Sequence, residues 1–140
     1  MFSDCKSLIT APELPATTLS NSCYSSMFSG CTSLTTAPQL PATTLSPNCY
    51  YKMFRGCTSL NESSELRAAT LTNYCYYQMF SGCSKLDNIT MVATNISATK
   101  CLENWLSGVA ATGTFVKASS TSIPTNSASG IPTGWTVMNK

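Results

Sequence analysis

The sequence predicts an α/β solenoid of about four 26-residue strand-turn-helix units, closed by a short C-terminal β cap. Three observations predict it. Met1, Met27, Met53 and Met79 recur every 26 residues, in step with Phe2, Phe28, Phe54 and Phe80. Cys5, Cys31, Cys57 and Cys83 keep the same step, as do Leu8, Leu34, Leu60 and Leu86, and a second cysteine series runs through Cys23, Cys49, Cys75 and Cys101. Within the first two units a Thr- and Pro-rich stretch precedes an apolar stripe. From Ala110 onward the period is lost. A unit of this length cannot bury its own apolar face, whereas stacked copies can.

The elements follow in order. Leu34 to Leu40 is rich in Thr and interrupted by Pro38, with Pro41 close behind, so it reads as a short extended strand. Ser46 then stands where a helix N-cap would, with Pro47 at the first helical position. Cys49, Tyr50, Met53, Phe54 and Cys57 fall at i, i+1, i+4, i+5 and i+8, which predicts one apolar helix face ended by Gly56. Unit three replaces Thr-Thr-Ala-Pro-Gln with Asn61-Glu62-Ser63-Ser64-Glu65. In unit four Trp105-Leu106 takes the Met-Phe place. Gly113–Val116 and Trp135–Val137 alternate like strands, joined by the Ser/Thr-rich connector Lys117–Ser129. The expected organisation is an array over 1–109 and a β-hairpin cap over 110–140 packed on it.

Composition narrows the function classes. Eight Lys or Arg and six Asp or Glu in 140 residues leave a net charge of +2, with no basic run. That excludes the footprint of a nucleic-acid or anionic-lipid binder. Ser, Thr, Asn and Gln must cover the surface, which suits neutral partners such as glycans or proteins. No apolar stretch reaches the roughly 18 residues of a membrane span, and no basic-then-apolar opening segment of signal type is present. Met1 already sits at the repeat's Met position, so the chain reads as a piece that begins inside a repeat.

Cys-x-x-Leu, then Leu-Pro, then Cys-Tyr-x-x-Met-Phe-x-Gly-Cys resembles the BspA-like, Treponema-type leucine-rich repeats of bacterial surface proteins. The tail, Gly113-Thr-Phe followed by Gly130-Ile-Pro-Thr-Gly-Trp135-Thr-Val, resembles the segment that follows such repeats. The resemblance implies a right-handed, curved leucine-rich-repeat solenoid displayed outside the cell, with attachment to host proteins, matrix or other cells as its usual imputed role. Similar repeats in phage and prophage proteins keep a virion surface open. The 26-residue unit is three residues longer than the commoner one, and Ala37 stands where a branched aliphatic is usual.

Eight cysteines invite a disulfide or metal reading. Cys23 and Cys31 would lie roughly 12 Å apart on one helix, too far to bridge. Cys5–Cys31 or Cys57–Cys83 bridges on the strand side remain conceivable, but a core ladder of free thiols is the expectation. Without Cys-x-x-Cys or any histidine, no metal site or other cofactor is expected. The absence of histidine also removes the usual general base, and the Glu62/Glu65 pair has no counterpart in other units, so an enzyme is not expected.

The leading functional reading is a non-catalytic recognition or adhesion module that holds a protein or glycan of a host or neighbouring cell surface on its concave sheet face. Its candidate residues are the rows Thr10, Thr36, Glu62, Asn88 and Pro12, Pro38, Ser64, Thr90. Glu13, Gln39, Glu65 and Met91 lie alongside, and Tyr51 and Tyr77 are expected exposed on the helix. The alternative is a spacer, or a unit that associates end to end as a shaft or filament. No nucleic acid and no membrane insertion are expected.

Overall fold

The computed structural model describes residues 1–125 and 128–140; Asn126 and Ser127, inside the expected Lys117–Ser129 connector, lie outside the described residues. Its 26-residue copies lie side by side in register. Thr10 pairs with Thr36 and Thr36 with Glu62, Thr18 with Thr44, and the ring of Phe28 stacks 5.6 Å from both Phe2 and Phe54. The α/β class is nevertheless overturned. Among the described residues there is no helix, and the regular strands are only β1 (Asn88–Met91), β2 (Gly113–Lys117) and β3 (Trp135–Asn139). The right-handed leucine-rich-repeat solenoid of strand-turn-helix units is not what this chain forms.

The segments expected to be helical, 21–30, 47–56, 73–82 and 99–108, are ribbons of successive turns. Odd-numbered amides close the turns: Cys23, Ser25, Met27 and Ser29 donate to the carbonyls of Ser20, Ser22, Tyr24 and Ser26 at 3.2–3.3 Å. Even-numbered amides leave the segment altogether. Ser22, Tyr24, Ser26, Phe28 and Gly30 donate to Pro47, Cys49, Tyr51, Met53 and Arg55 at 2.7–3.1 Å, and the same pattern joins the second segment to the third and the third to the fourth. An α-helix keeps every interior amide for its own i−4 carbonyl. Here half of them bond the neighbouring coil instead.

A four-residue backbone cycle makes this possible. Ser22, Ser26 and Gly30 have φ of 57°, 54° and 75°, and Asn48, Lys52 and Gly56 repeat it at 58°, 53° and 76°. A positive φ at the third residue of every second turn is the type II signature. For residues other than glycine the left-handed region costs about 1–2 kcal/mol each. Each cross-coil hydrogen bond returns about 1 kcal/mol net, and each buried Phe or Met contributes roughly 1.5–3 kcal/mol. Burial therefore decides the balance. Ser46, expected as an N-cap, donates its hydroxyl to the Leu19 carbonyl at 2.7 Å across coils.

The core is a set of ladders that run from coil to coil. Phe28, Phe54 and Phe80 are fully buried, Tyr50 and Tyr76 stack at 6.0 Å, and Trp105 caps that series 6.1 Å from Tyr76. The thiols of Cys57 and Cys83 donate to the Phe28 and Phe54 carbonyls at 3.1 and 3.0 Å. All eight cysteines are free, with six buried and Cys5 and Cys23 exposed.

The strand side is looser. Pro12, Pro15, Pro38 and Pro41 remove ladder donors, so the first coils pair only through isolated bridges. The third and fourth coils carry no proline on this side, and β1 forms in the fourth, where β2 pairs along it. One residue is lost there, since Leu66 pairs with Met91 and Thr70 with Asn95, a step of 25. Met91 is thus in line with Leu66, not with Glu65 as expected.

The expected C-terminal hairpin is also corrected. β1, β2 and β3 form one parallel sheet in that order, Asn88 opposite Thr114 and Gly113 opposite Trp135. A parallel pair needs a crossover, and 118–134 supplies it. The 26-residue step therefore persists from β1 to β2, beyond the point where the sequence motif fades. Gly113 is required at this crossing, because a Cβ would collide with the Asp87 carbonyl and the Trp135 ring. The indole N–H groups of Trp105 and Trp135 donate to the Gly130 and Ala110 carbonyls at 3.1 and 2.7 Å, which ties the tail to the last coils.

Candidate functional site

The candidate residues divide between two stretches of each coil. Thr10, Thr36, Glu62 and Asn88 are all exposed on the strand side. Bridges align Thr10, Thr36 and Glu62, and the Asn88 side-chain amide donates to the Asn61 carbonyl at 3.2 Å. Sheet pairing aligns Asn88 with Thr114 and Thr114 with Thr136, two positions the sequence reading missed. The persistence of the 26-residue step from Asn88 to Thr114 was the available signal. Where pairing stays perpendicular to the chain, neighbouring members lie about 4.8 Å apart.

The second expected row does not stand beside the first. Pro12 is exposed, but Pro38 and Ser64 are buried and Thr90 is half-buried. Alternation fails because Ala37 and Pro38 both turn inward, as consecutive residues of a regular strand do not. Pro12, Pro15, Pro38 and Pro41 line an apolar groove of about 220 Å³ whose polar members are Glu13 and Gln39. The Ser64 hydroxyl is buried without a hydrogen-bond partner among the described residues.

Glu62 and Glu65 do not act as a pair. Glu62 is exposed, whereas Glu65 sits between Arg67, at 3.6 Å, and the ammonium group of Lys140 at the end of β3. Glu65 is therefore a tether between the third coil and the tail. Among the described residues no three His, Cys, Asp or Glu side chains converge as metal ligands would. Burial pushes the Cys49 thiol up to about 11 and those of Cys57 and Cys75 up to about 12, which suits core groups and not nucleophiles.

Tyr51 and Tyr77 lie on the turn segments, fifteen residues along the chain from Thr36 and Glu62 (51 − 36 and 77 − 62). Both are half-buried, and their rings stack at 5.0 Å and 5°, closer than the buried tyrosine ladder at 6.0 Å. Tyr74 tilts against Tyr77 at 5.6 Å, and the Lys52 ammonium stands 4.9 Å from the Tyr51 ring centre and 6.0 Å from that of Tyr77. The Gln78 amide reaches the Tyr77 hydroxyl at 3.5 Å. Lys100, paired with Glu103 at 3.4 Å, is raised mainly by that carboxylate, with smaller contributions from Tyr74 and Tyr77.

A cleft of about 450 Å³ lies between the last turn segment and the tail, lined among others by Ile96, Cys101, Leu102, Ile123 and Ser129. Among the described residues no helix is long and apolar enough to cross a membrane. Comparison with protein-family models, curated protein sequences and solved structures returned no match.

Proposed function

We propose that this chain is a non-catalytic recognition module, displayed outside the cell, that holds a neutral protein or glycan along its strand-side row. The observation that carries the reading is the alignment of exposed Thr10, Thr36 and Glu62 through bridges, followed by the paired set Asn88, Thr114 and Thr136 in the sheet. A row of hydroxyl, carboxylate and amide groups at one-coil spacing offers repeated hydrogen bonds to an extended ligand, and repeat arrays ordinarily bind along such surfaces. The resemblance of the repeat motif to bacterial surface proteins supports the location. The test is a glycan and matrix-protein array probed with wild-type chain and with Thr36→Lys and Asn88→Lys variants. Ligands lost by both variants support the row, and ligands kept by both place recognition elsewhere.

A second reading, a unit that associates end to end, draws on β3. Val137 and Met138 are exposed on this outermost strand, 37% and 53% respectively. Exposed apolar edges invite pairing with another chain. Light scattering across a concentration series decides it, since only a self-associating unit gains mass.

A further inference from the structure

We propose that Tyr51 and Lys52 form a binding site for an acidic saccharide, with a pyranose ring stacked on the open face of Tyr51 and its carboxylate held by the Lys52 ammonium. This lies on the turn segments and is independent of the strand-side row.

Row composition leaves one ring face open. The positions in register are Ser25, Tyr51, Tyr77 and Glu103, each 26 residues from the next. Tyr77 covers one face of Tyr51 at 5.0 Å. The opposite face is turned toward the coil of Ser25, whose side chain is too short to cover a ring. That coil is fixed in place, because Ser26 donates its amide to the Tyr51 carbonyl at 2.7 Å. Tyr77 cannot serve in the same way, since the coil beyond it carries Glu103. Of the two tyrosines in this row, Tyr51 is the one that combines a backed ring with a face turned toward a short side chain.

Charge supplies the second requirement. Arg67 and Lys140 pair with Glu65, and Lys100 pairs with Glu103. Lys52 is in none of these pairs; it lies half-buried against the two tyrosines. Its backbone is held in the left-handed region, φ 53°, by a hydrogen bond from its amide to the Tyr77 carbonyl at 2.9 Å. An ammonium group held at the edge of an open aromatic ring matches a ligand with an apolar ring face and one anionic substituent. A uronate or similar sugar acid has both, and its hydroxyls suit the neutral neighbours Ser25, Ser26 and Gln78. A nucleic acid fits less well. It requires a track of cations for successive phosphates, and the eight cations of this chain are dispersed.

The experiment uses a galacturonate tetrasaccharide and the neutral galactose tetrasaccharide as probes, read by calorimetry and by saturation-transfer NMR. Wild type is expected to prefer the galacturonate, with affinity falling as salt is added. Tyr51→Ala should weaken binding by about tenfold while Tyr51→Phe retains it, because the ring and not the phenol is used. Lys52→Gln should remove the preference for the acid and the salt dependence. Lys85→Gln, which removes an exposed cation outside both surfaces, should leave the affinity unchanged. Equal binding by wild type, Tyr51→Ala and Lys52→Gln overturns the assignment, as does no binding by wild type. Tighter binding of a thymidine oligonucleotide than of the galacturonate also overturns it, in favour of a nucleic acid at the ring. Thermal melts of the variants show that each has folded.

Discussion

The turn side and the strand side of each coil obey different rules. On the turn side register is kept through four segments without slip: Tyr24, Tyr50 and Tyr76 donate to Cys49, Cys75 and Cys101, always 25 residues on. On the strand side pairing shrinks to single bridges, and the step falls from 26 to 25 at Leu66–Met91. Satisfaction of the backbone explains the contrast. Every second amide of a turn segment has its acceptor in the next coil, so a one-residue slip would orphan a whole row of buried groups. The third and fourth coils pair on the strand side only through single bridges, so a slip there strands little. The turn side fixes the stack, and the strand side is free to vary in composition.

The largest expected effect tests that division directly. Phe54 is fully buried and stacked on Phe28 and Phe80 at 5.6 and 5.5 Å. Phe54→Ala should destabilise by about 3–5 kcal/mol, whereas Thr36→Ala, exposed on the strand side, should stay within about 0.5 kcal/mol. Urea midpoints compare the two. Similar losses would mean that the strand side fixes the stack equally.

Next in size is an alkaline weakness confined to the turn side and its cysteines. Burial raises Cys49 to about 11 and Cys57 and Cys75 to about 12, and pushes Cys83 well above the ordinary thiol value. The neutral thiol is the form the fold holds. Above the unfolded thiol value, near 8.5, the unfolded chain releases protons that the native one keeps, so stability falls as pH rises. It is fully present below that value and declines toward pH 12, by roughly 1.4 kcal/mol per unit for each buried thiol. Cys57→Ala should lessen the slope of stability against pH between 9 and 11. An unchanged slope would remove thiol burial as its cause.

The left-handed positions offer a smaller and opposite effect. Gln78 holds φ 49° in the same cycle that ends at Gly82 with φ 79°. Gln78→Gly should stabilise by about 0.5–1 kcal/mol, the relief of the left-handed strain less the added chain entropy. Gly56→Ala should cost about 1–2 kcal/mol, through φ alone, because a Cβ there meets only Gly30 atoms at 3.9 Å. Thermal melts read both signs. A destabilised Gln78→Gly would show that the side chain, through its contact with Tyr77, matters more than the backbone.

What the sequence made legible follows the same division. The 26-residue recurrence of Phe and Cys marks inward-facing residues in the later coils, because burial depends on apolar position and not on backbone type, whereas Cys5 and Cys23 of the first coil are exposed. The backbone itself was misread. Cys49, Tyr50, Met53, Phe54 and Cys57 repeat every four residues, while a helix turns in 3.6, so the stripe would drift on a helix and stays straight on a four-residue turn cycle. Asn48 and Gly56 at the left-handed positions were a further sign, obscured by Lys52 at the position between them. On the candidate site, Thr10, Thr36 and Glu62 were legible as a row because their bridges keep the period. Burial of Pro38 and Ser64 was not, since irregular extended backbone need not alternate. The stacking of Tyr51 on Tyr77 was foreshadowed by their 26-residue spacing, but the placement of Lys52 depends on a left-handed conformation that lysine does not announce.

The smallest expected effect concerns the place where, among the described residues, charge fastens the strand side. Glu65 accepts from Lys140 at the end of β3 and lies 3.6 Å from Arg67, with Lys140 and Arg67 about half exposed. Ion pairs of that exposure contribute about 0–1 kcal/mol and weaken with salt. Glu65→Gln should therefore lower stability by no more than about 0.5 kcal/mol at low salt, and by nothing measurable near 1 M salt. Its visible effect should be local. Amide exchange at Val137–Asn139 should quicken while that of Phe28 and Phe54, whose amides cross between turn segments, stays slow. If exchange at Phe54 quickened as well, the tail and the turn ladder would open as one cooperative unit, and the two sides of the coil would not be as separable as their hydrogen bonding indicates.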